Sequence, residues 1–158
     1  MDEDLKNNMA LDFCIGVAGY PEKHFEAPNK AQDLTYLKQK VDAGADYIVT
    51  QMFFDNNKYY NFVKKCREIG INVPIIPGIK PINLINQLTV LPKIFSIDIP
   101  MELATELDKC KTNDDEGKVG TEWAIYQSKD LVANNVPSLH IYTYGVSDNV
   151  KEIVKAVF

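Results

Sequence analysis

The sequence predicts an α/β fold built from parallel strands, and three observations carry this. Short apolar, β-branched runs alternate with longer stretches of helical period along the whole chain. Strands joined by crossover helices pair in parallel, in a sheet covered by helices. A length of 158 residues makes one domain, on a scale of about 100–200 residues per domain. A complete (β/α)8 barrel takes ~250 residues and at least ~200, so four βα units leave two architectures open: a small doubly wound sheet, or half of a barrel.

The first unit opens with residues 13–19, an apolar run bounded by Asp12 and Tyr20-Pro21 and expected as a buried strand. Residues 32–43 set Leu34, Leu37 and Val41 on one face with Lys38 and Asp42 opposite, and Gly44 stands where a helix-ending glycine belongs. Residues 46–51, β-branched and aromatic, are the second strand. Met52, Phe53 and Phe54 prolong its apolar run and are expected in the core. Asp55 caps a helix over about 57–69, with Tyr59, Phe62, Val63, Cys66 and Ile69 as its apolar set and Gly70 closing it. Residues 73–78 form a third strand ended by Pro and Gly. A helix over 82–91 is interrupted by Pro92, and Pro100 opens a short helix through Leu107. Residues 111–117 read as a polar surface loop, and 119–134 as a long helix carrying Trp123. Residues 139–144 are the fourth strand, and 148–158 a terminal helix capped by Ser147. No low-complexity stretch or linker divides the chain, so 1–158 is one domain, with 1–11 expected to be a flexible N-terminal segment.

Composition removes several function classes. Hydrophobic residues at 46% and charged residues at 25% are globular values and disfavour disorder. No apolar run approaches the ~18–20 residues that span a bilayer, and the charged start is unlike a signal peptide. A net charge of −5, with sixteen Lys and one Arg in no stripe, argues against nucleic acid as a partner. Cys14, Cys66 and Cys110 are odd in number, have no metal-ligand spacing, and are expected as reduced, mostly core thiols of a cytoplasmic protein.

Ligands on parallel sheets sit beyond the carboxyl ends of the strands. The sequence places Tyr20, Glu22 and His24 there, then Gln51, then Gly78 and Lys80, then Thr143 and Tyr144. GxGxxG, GxxxxGK[ST] and GxSxG do not occur. His140, inside a strand, is expected as a satisfied core imidazole, whereas His24, in a loop, suits ligand contact or a structural role equally. Asp33 and Lys40 stand two helical turns apart and project from one side of their helix, as surface charges or as a pair of ligand contacts. The Gln51 amide, with one acceptor oxygen and two N–H donors, matches the edge of a heterocycle or bonds the adjoining loop backbone.

Ala18-Gly-Tyr-Pro-Glu-Lys-His24, Asp33-Leu…Leu37-Lys…Lys40-Val-Asp-Ala-Gly-Ala45 and Ile48-Val-Thr-Gln-Met-Phe-Phe-Asp55 form a set with Val73-Pro-Ile-Ile-Pro-Gly-Ile79 and Leu139-His-Ile-Tyr-Thr143. In order and spacing, from about Asp12 to the C-terminus, this set resembles the methylenetetrahydrofolate reductase family. The resemblance implies a flavoprotein with an eight-stranded barrel, of which this chain matches the second half. The expected fold is then a partial (β/α)8 TIM barrel made of about the last four βα units.

The resemblance also implies roles. Tyr20, His24, Ala27, Asp33 and Lys40 match positions lining the family's FAD site, with Lys40 facing the diphosphate as a point charge. Gln39 stands where the family often carries Arg, and Tyr36 where a smaller polar residue is usual, so one phosphate contact fewer is implied. Gln51 matches a glutamine that contacts the folate pterin or the nicotinamide nucleotide, and Gln87 a second substrate-side glutamine. The chain runs Tyr144-Gly-Val146 where the family often has Arg, so an ion pair to the folate glutamate is not implied. The family's catalytic glutamate, and the aspartate beside its flavin ring, fall in the half this chain does not match. The implied reaction is hydride transfer from NAD(P)H through FAD to 5,10-methylenetetrahydrofolate. A non-catalytic half-barrel that binds nucleotide or self-associates is the alternative; in either case the open strand edges imply a homo-oligomer or a complementing N-terminal half.

Overall fold

In the computed structural model, which describes residues 13–143 and 147–158, strands and helices alternate as the hydrophobic period predicts. The order is β1 (Gly16–Gly19), α1 (Lys30–Asp42), β2 (Tyr47–Thr50), α2 (Asn56–Glu68), β3 (Ile75–Ile76) and β4 (Gly78–Ile79). Then come α3 (Gln87–Phe95), α4 (Met101–Asp108), α5 (Asn113–Ala133), β5 (His140–Ile141) and α6 (Asp148–Val157). The flexible segment expected over 1–11, and Tyr144, lie outside the described residues.

Every pairing is parallel: β1 with β2, β2 with β3, and β4 with β5. Pro77 divides what the sequence marks as one strand. Before it, Ile75 and Ile76 pair with Ile48 and Val49; after it, Gly78 and Ile79 pair with His140 and Ile141. Proline has no N–H to give a ladder, but its carbonyl accepts from His140 N at 3.0 Å, and Gly78 N donates to Thr50 Oγ1 at 2.9 Å. The chain thus hands over from one neighbour to the next without losing its hydrogen bonds. Neighbours in space are neighbours in sequence, so the strand order lacks the reversal of a doubly wound sheet.

The strands form a three-stranded sheet, β1-β2-β3, and a two-stranded one, β4-β5, and two apolar clusters hold the helices to them. Ile48, Phe53, Phe62, Cys66, Ile71, Ile75 and Ile79 form one, with Leu37, Ala124, Leu131 and Ile153 from the helices. Met52, Phe54, Ile82, Leu91, Ile97, Leu103 and Leu107 form the other, under α3 and α4. Successive residues after β2 alternate between the clusters, so the Met52–Phe54 run is core on both sides. Asp55 Oδ1 accepts from Asn57 N at 2.9 Å as the expected cap of α2, and Gly44 and Gly70 take positive φ where α1 and α2 end.

Several expectations are corrected. The first strand is largely exposed rather than buried, with Phe13 77% and Ile15 52% exposed, because among the described residues β1 pairs on one side, with β2. His140 is exposed for the same reason: among the described residues β5 pairs with β4 alone, and the imidazole meets Tyr142 edge-on at 4.5 Å. Of the three thiols, Cys66 is core; Cys14 is exposed and Cys110 half-buried. Ile69 points outward at 40% exposure. Residues 82–86 are not helical: Gln87 Oε1 takes Asn83 N, and Glu116 Oε2 takes Ile85 N, both at 2.8 Å. The helix instead begins at Gln87 and runs through Pro92, ending where Ser96 turns left-handed at φ 53°. Most of the supposed loop 111–117 is the first turn of α5. Thr112 Oγ1 accepts from Asp115 N, and Asp114, Asp115 and Glu116 favour the positive end of the helix. Ser147 precedes α6 without a capping bond from its hydroxyl. Among the described residues, no helix is long and apolar enough to cross a membrane.

Candidate functional site

The loop from β1 to α1 builds the first cleft. Asp33 Oδ2, in the first turn of α1, accepts from His24 N at 2.9 Å and folds the loop back onto the helix. The loop is further tied by Ala27 N to His24 O at 3.1 Å and by Lys23 Nζ to Ala27 O at 2.6 Å. His24 packs edge-on against Tyr20 at 4.5 Å and tilted against Phe25 at 4.8 Å. Its Nδ1 accepts from Glu26 N at 3.3 Å, whereas the Glu26 carboxylate is 3.9 Å away. The shorter contact fixes Nδ1 as acceptor and leaves Nε2–H as the donor.

Along α1, Asp33, Tyr36, Gln39, Lys40 and Ala43 continue the wall, and with Tyr20, His24, Glu26 and Ala27 they enclose an open cleft of about 550 Å³. This falls in the ~300–1,000 Å³ range of small-molecule sites. Tyr20, His24, Ala27, Asp33 and Lys40 thus all meet at one place. Lys40 is exposed and has no ion-pair partner among the described residues, so its ammonium is open to an anion. Burial, then the Asp33 and Glu26 carboxylates, hold the Tyr20 phenol above its ordinary range, so it stays an O–H donor.

The two glutamines lie elsewhere. Gln51 follows β2, half-buried, and its Oε1 accepts from the neighbouring Met52 N at 3.0 Å, while Gln51 N bonds Gly19 O. Gln87 opens α3 and spends its oxygen on Asn83 N. Each amide therefore uses its acceptor on backbone. Lys80, 2% exposed beyond β4, donates to Pro81 O at 2.9 Å, and burial lowers the pKa of its ammonium.

Sequence reasoning assigned nothing to a second, larger cleft of about 690 Å³ at the N-terminal end of α2. Asp55, Lys58, Asp98, Glu102, Trp123 and Asp130 are among its lining residues. On its wall Asp130 Oδ2 accepts from Tyr60 OH at 2.6 Å and from Asn56 Nδ2 at 2.7 Å, while Gln127 Nε2 reaches Phe53 O and Asn56 Oδ1 at 3.2 Å. Gln127, a polar residue amid the apolar positions of α5, was the available signal. Among the described residues, no group of three His, Cys, Asp or Glu side chains is arranged to hold a metal ion.

Fold and cleft together define a parallel α/β protein with a polar, aromatic-walled cleft beyond the end of its first strand. A family model described as methylenetetrahydrofolate reductase matches residues 3–157, and the chain belongs to that family. A probable methylenetetrahydrofolate reductase (NADPH) of Caenorhabditis elegans is 42% identical over 147 residues, covering 92% of this chain and 22% of that protein. Methylenetetrahydrofolate reductase (NADH) 1 of Arabidopsis thaliana is 44% identical over 144 residues, 85% of this chain and 24% of that one. The 5,10-methylenetetrahydrofolate reductase of Pectobacterium carotovorum is 38% identical, with 84% and 45% covered. The chain thus spans from about a fifth to just under half the length of these relatives. A solved Clostridium thermocellum protein, described as binding two copies of 5-methyl-5,6,7,8-tetrahydrofolic acid, superposes with a TM-score of 0.61 at 16% identity. The match covers 98% of this chain and 55% of that one, and bears on the fold alone.

Proposed function

We propose that this chain is the C-terminal half-barrel of a methylenetetrahydrofolate reductase, and that its Tyr20–Lys40 cleft holds its share of FAD. The reaction is reduction of 5,10-methylenetetrahydrofolate to 5-methyltetrahydrofolate with NAD(P)H as co-substrate, a step of one-carbon metabolism. One observation carries the reading: all five residues that the family resemblance assigns to the flavin line a single cleft, with the exposed Lys40 ammonium in its wall. The sequential parallel strand order supports the half-barrel, since it is the order of consecutive units in a closed barrel.

When bound, the flavin supplies the hydride carrier. The chain's own groups bind and orient. Lys40 offers a point charge to a phosphate, and Tyr20 donates from a phenol that its surroundings keep protonated. Asp33 holds the loop in shape through His24 N. Gln51 and Gln87, with their oxygens engaged, keep N–H donors for the acceptor edge of a pterin or nicotinamide. The acids near the strand ends are otherwise engaged or placed: Asp55 caps α2, Glu22 bonds the Asp98 amide, and Glu26 lines the flavin-side cleft. General acid catalysis, typically worth about 10²–10⁴-fold, then comes from the other half of the barrel.

Titration of FAD fluorescence tests the cleft. The chain binds FAD weakly, and Lys40→Ala binds it more weakly still; equal binding removes Lys40 from the site. The second expected outcome is no NADH oxidation by the chain alone with FAD present, and turnover once a polypeptide carrying the first four βα units is added. Turnover without that half would place a complete site within these residues.

A further inference from the structure

We propose that Glu22 is a positioning residue: it fastens the α3–α4 connection to the loop carrying Tyr20 and His24, so that the flavin-side cleft and the larger acidic cleft change shape together. The two segments are far apart in sequence, and the Glu22 carboxyl bridges them. Glu22 Oε2 accepts from Asp98 N at 2.7 Å, a contact across 76 positions. Asp98, Ile99 and Pro100 form a wall of the acidic cleft, while Tyr20 and His24, on either side of Glu22, form a wall of the other.

The join is charged, and it is half-buried on the Glu22 side and exposed on the Asp98 side. Glu22 Oε1 is shut off from solvent and has no hydrogen-bonding partner among the described residues. Tyr20, Pro21 and Lys23 of its own loop, Gln51 and Met52 beyond β2, and Phe95 and Ile97 surround a small gap at this point. The charged groups acting on it are Asp98, Lys58 of α2 and Lys30 of α1. Lys58 in turn donates to Asp98 Oδ2 at 2.8 Å, and Lys30 to Pro21 O at 2.7 Å. Glu22 therefore sits where both segments meet the starts of α1 and α2.

Burial, the largest influence, raises the Glu22 carboxyl from its ordinary 4.5 to about 7, against the opposing effect of the Asp98 amide. A carboxylate accepts a hydrogen bond more strongly than a neutral acid, so the latch grips above pH 7 and slackens below. Global stability runs the other way. The folded state binds the proton more tightly than the unfolded one, so this group's contribution is full below about 4.5 and is lost as pH rises through 7.

The latch rests on contacts within the chain, so its test does not depend on flavin. In NMR titration of the nitrogen-15-labelled chain, the Asp98 amide is expected to shift with a midpoint near 7, and the Tyr20 amide with the same midpoint. Glu22→Gln, which keeps the shape and removes the charge, abolishes that transition at both sites. A flat Asp98 amide in the wild type overturns the latch, as does a transition that survives in Glu22→Gln. Movement at Asp98 without movement at Tyr20 overturns the coupling of the clefts. Failure of the chain to bind FAD would count against the flavin assignment and leave these amide shifts unaffected.

Discussion

Asp130 takes hydrogen bonds from Tyr60 and Asn56 at once, and the two protons hold its carboxyl below the ordinary range. Burial, and then the same contact with Asp130, push the Tyr60 phenol upward. Tyr60→Phe removes a bond to a charged acceptor and should destabilise the chain by about 1.5–3 kcal/mol in urea unfolding. The loss should fade as pH falls through the carboxylate range, because a depressed acid contributes stability only while it is ionised; a pH-independent loss would assign the effect to packing. Such pairs are poorly legible in sequence, since Asn56, Tyr60 and Asp130 sit on two helices about 70 positions apart. The walls of the smaller cleft are more local: Tyr20, His24, Asp33 and Lys40, which the family resemblance groups together, lie on one loop and the helix it leads into, so chain geometry sets their neighbourhood.

At the scale of the element, α5 is organised by what it must approach. A Cβ on Gly120 would lie 1.8 Å from the carbonyl oxygen of Ile82, and one turn earlier Glu116 reaches Ile85 N. The obstruction is backbone, which cannot swing aside like a side chain. Gly120→Ala is therefore expected to cost at least the ~1–3 kcal/mol of overpacking, despite alanine's better helix propensity; a neutral or higher melting temperature would show that the 82–86 segment yields easily. The same neighbourhood explains why apolar period misled over 82–86: the backbone N–H groups of Asn83 and Ile85 are claimed by Gln87 of α3 and Glu116 of α5. The start of α5 was missed differently: its acidic first turn looked like loop composition, although Thr112 three places before Asp115 is a capping pattern. The strands over 46–51 and the helix after Asp55 were readable because β-branching, core period and cap agreed there.

Across the whole molecule, exposure follows the sheet's open sides. Among the described residues, β1 pairs with β2 alone and β5 with β4 alone, and Phe13 and Ile15 are exposed beside the first edge. Unpaired edges are templates for pairing, and a two-fold arrangement is the commonest way to close them. Size exclusion with light scattering is expected to find a dimer or larger assembly of the isolated chain; a monodisperse monomer would count against it. Local period could not reveal that His140 is exposed, because an edge belongs to the sheet and not to the residue.

The neighbour-to-neighbour strand order bears on how the chain folds. Ile15 meets Asp46 at 31 positions' remove, and Gly78 meets Thr50 at 28. Loop closure costs rise only slowly with length, but contacts between nearby segments form fastest. The first three ladder segments can therefore form in the order in which a ribosome would release them, each on the one before. The last must wait for the long crossover through α3, α4 and α5. Folding arrested during that wait would leave Gly78 and Ile79 without their ladder partners, so that β4 adds a temporary open edge to the one β1 already presents.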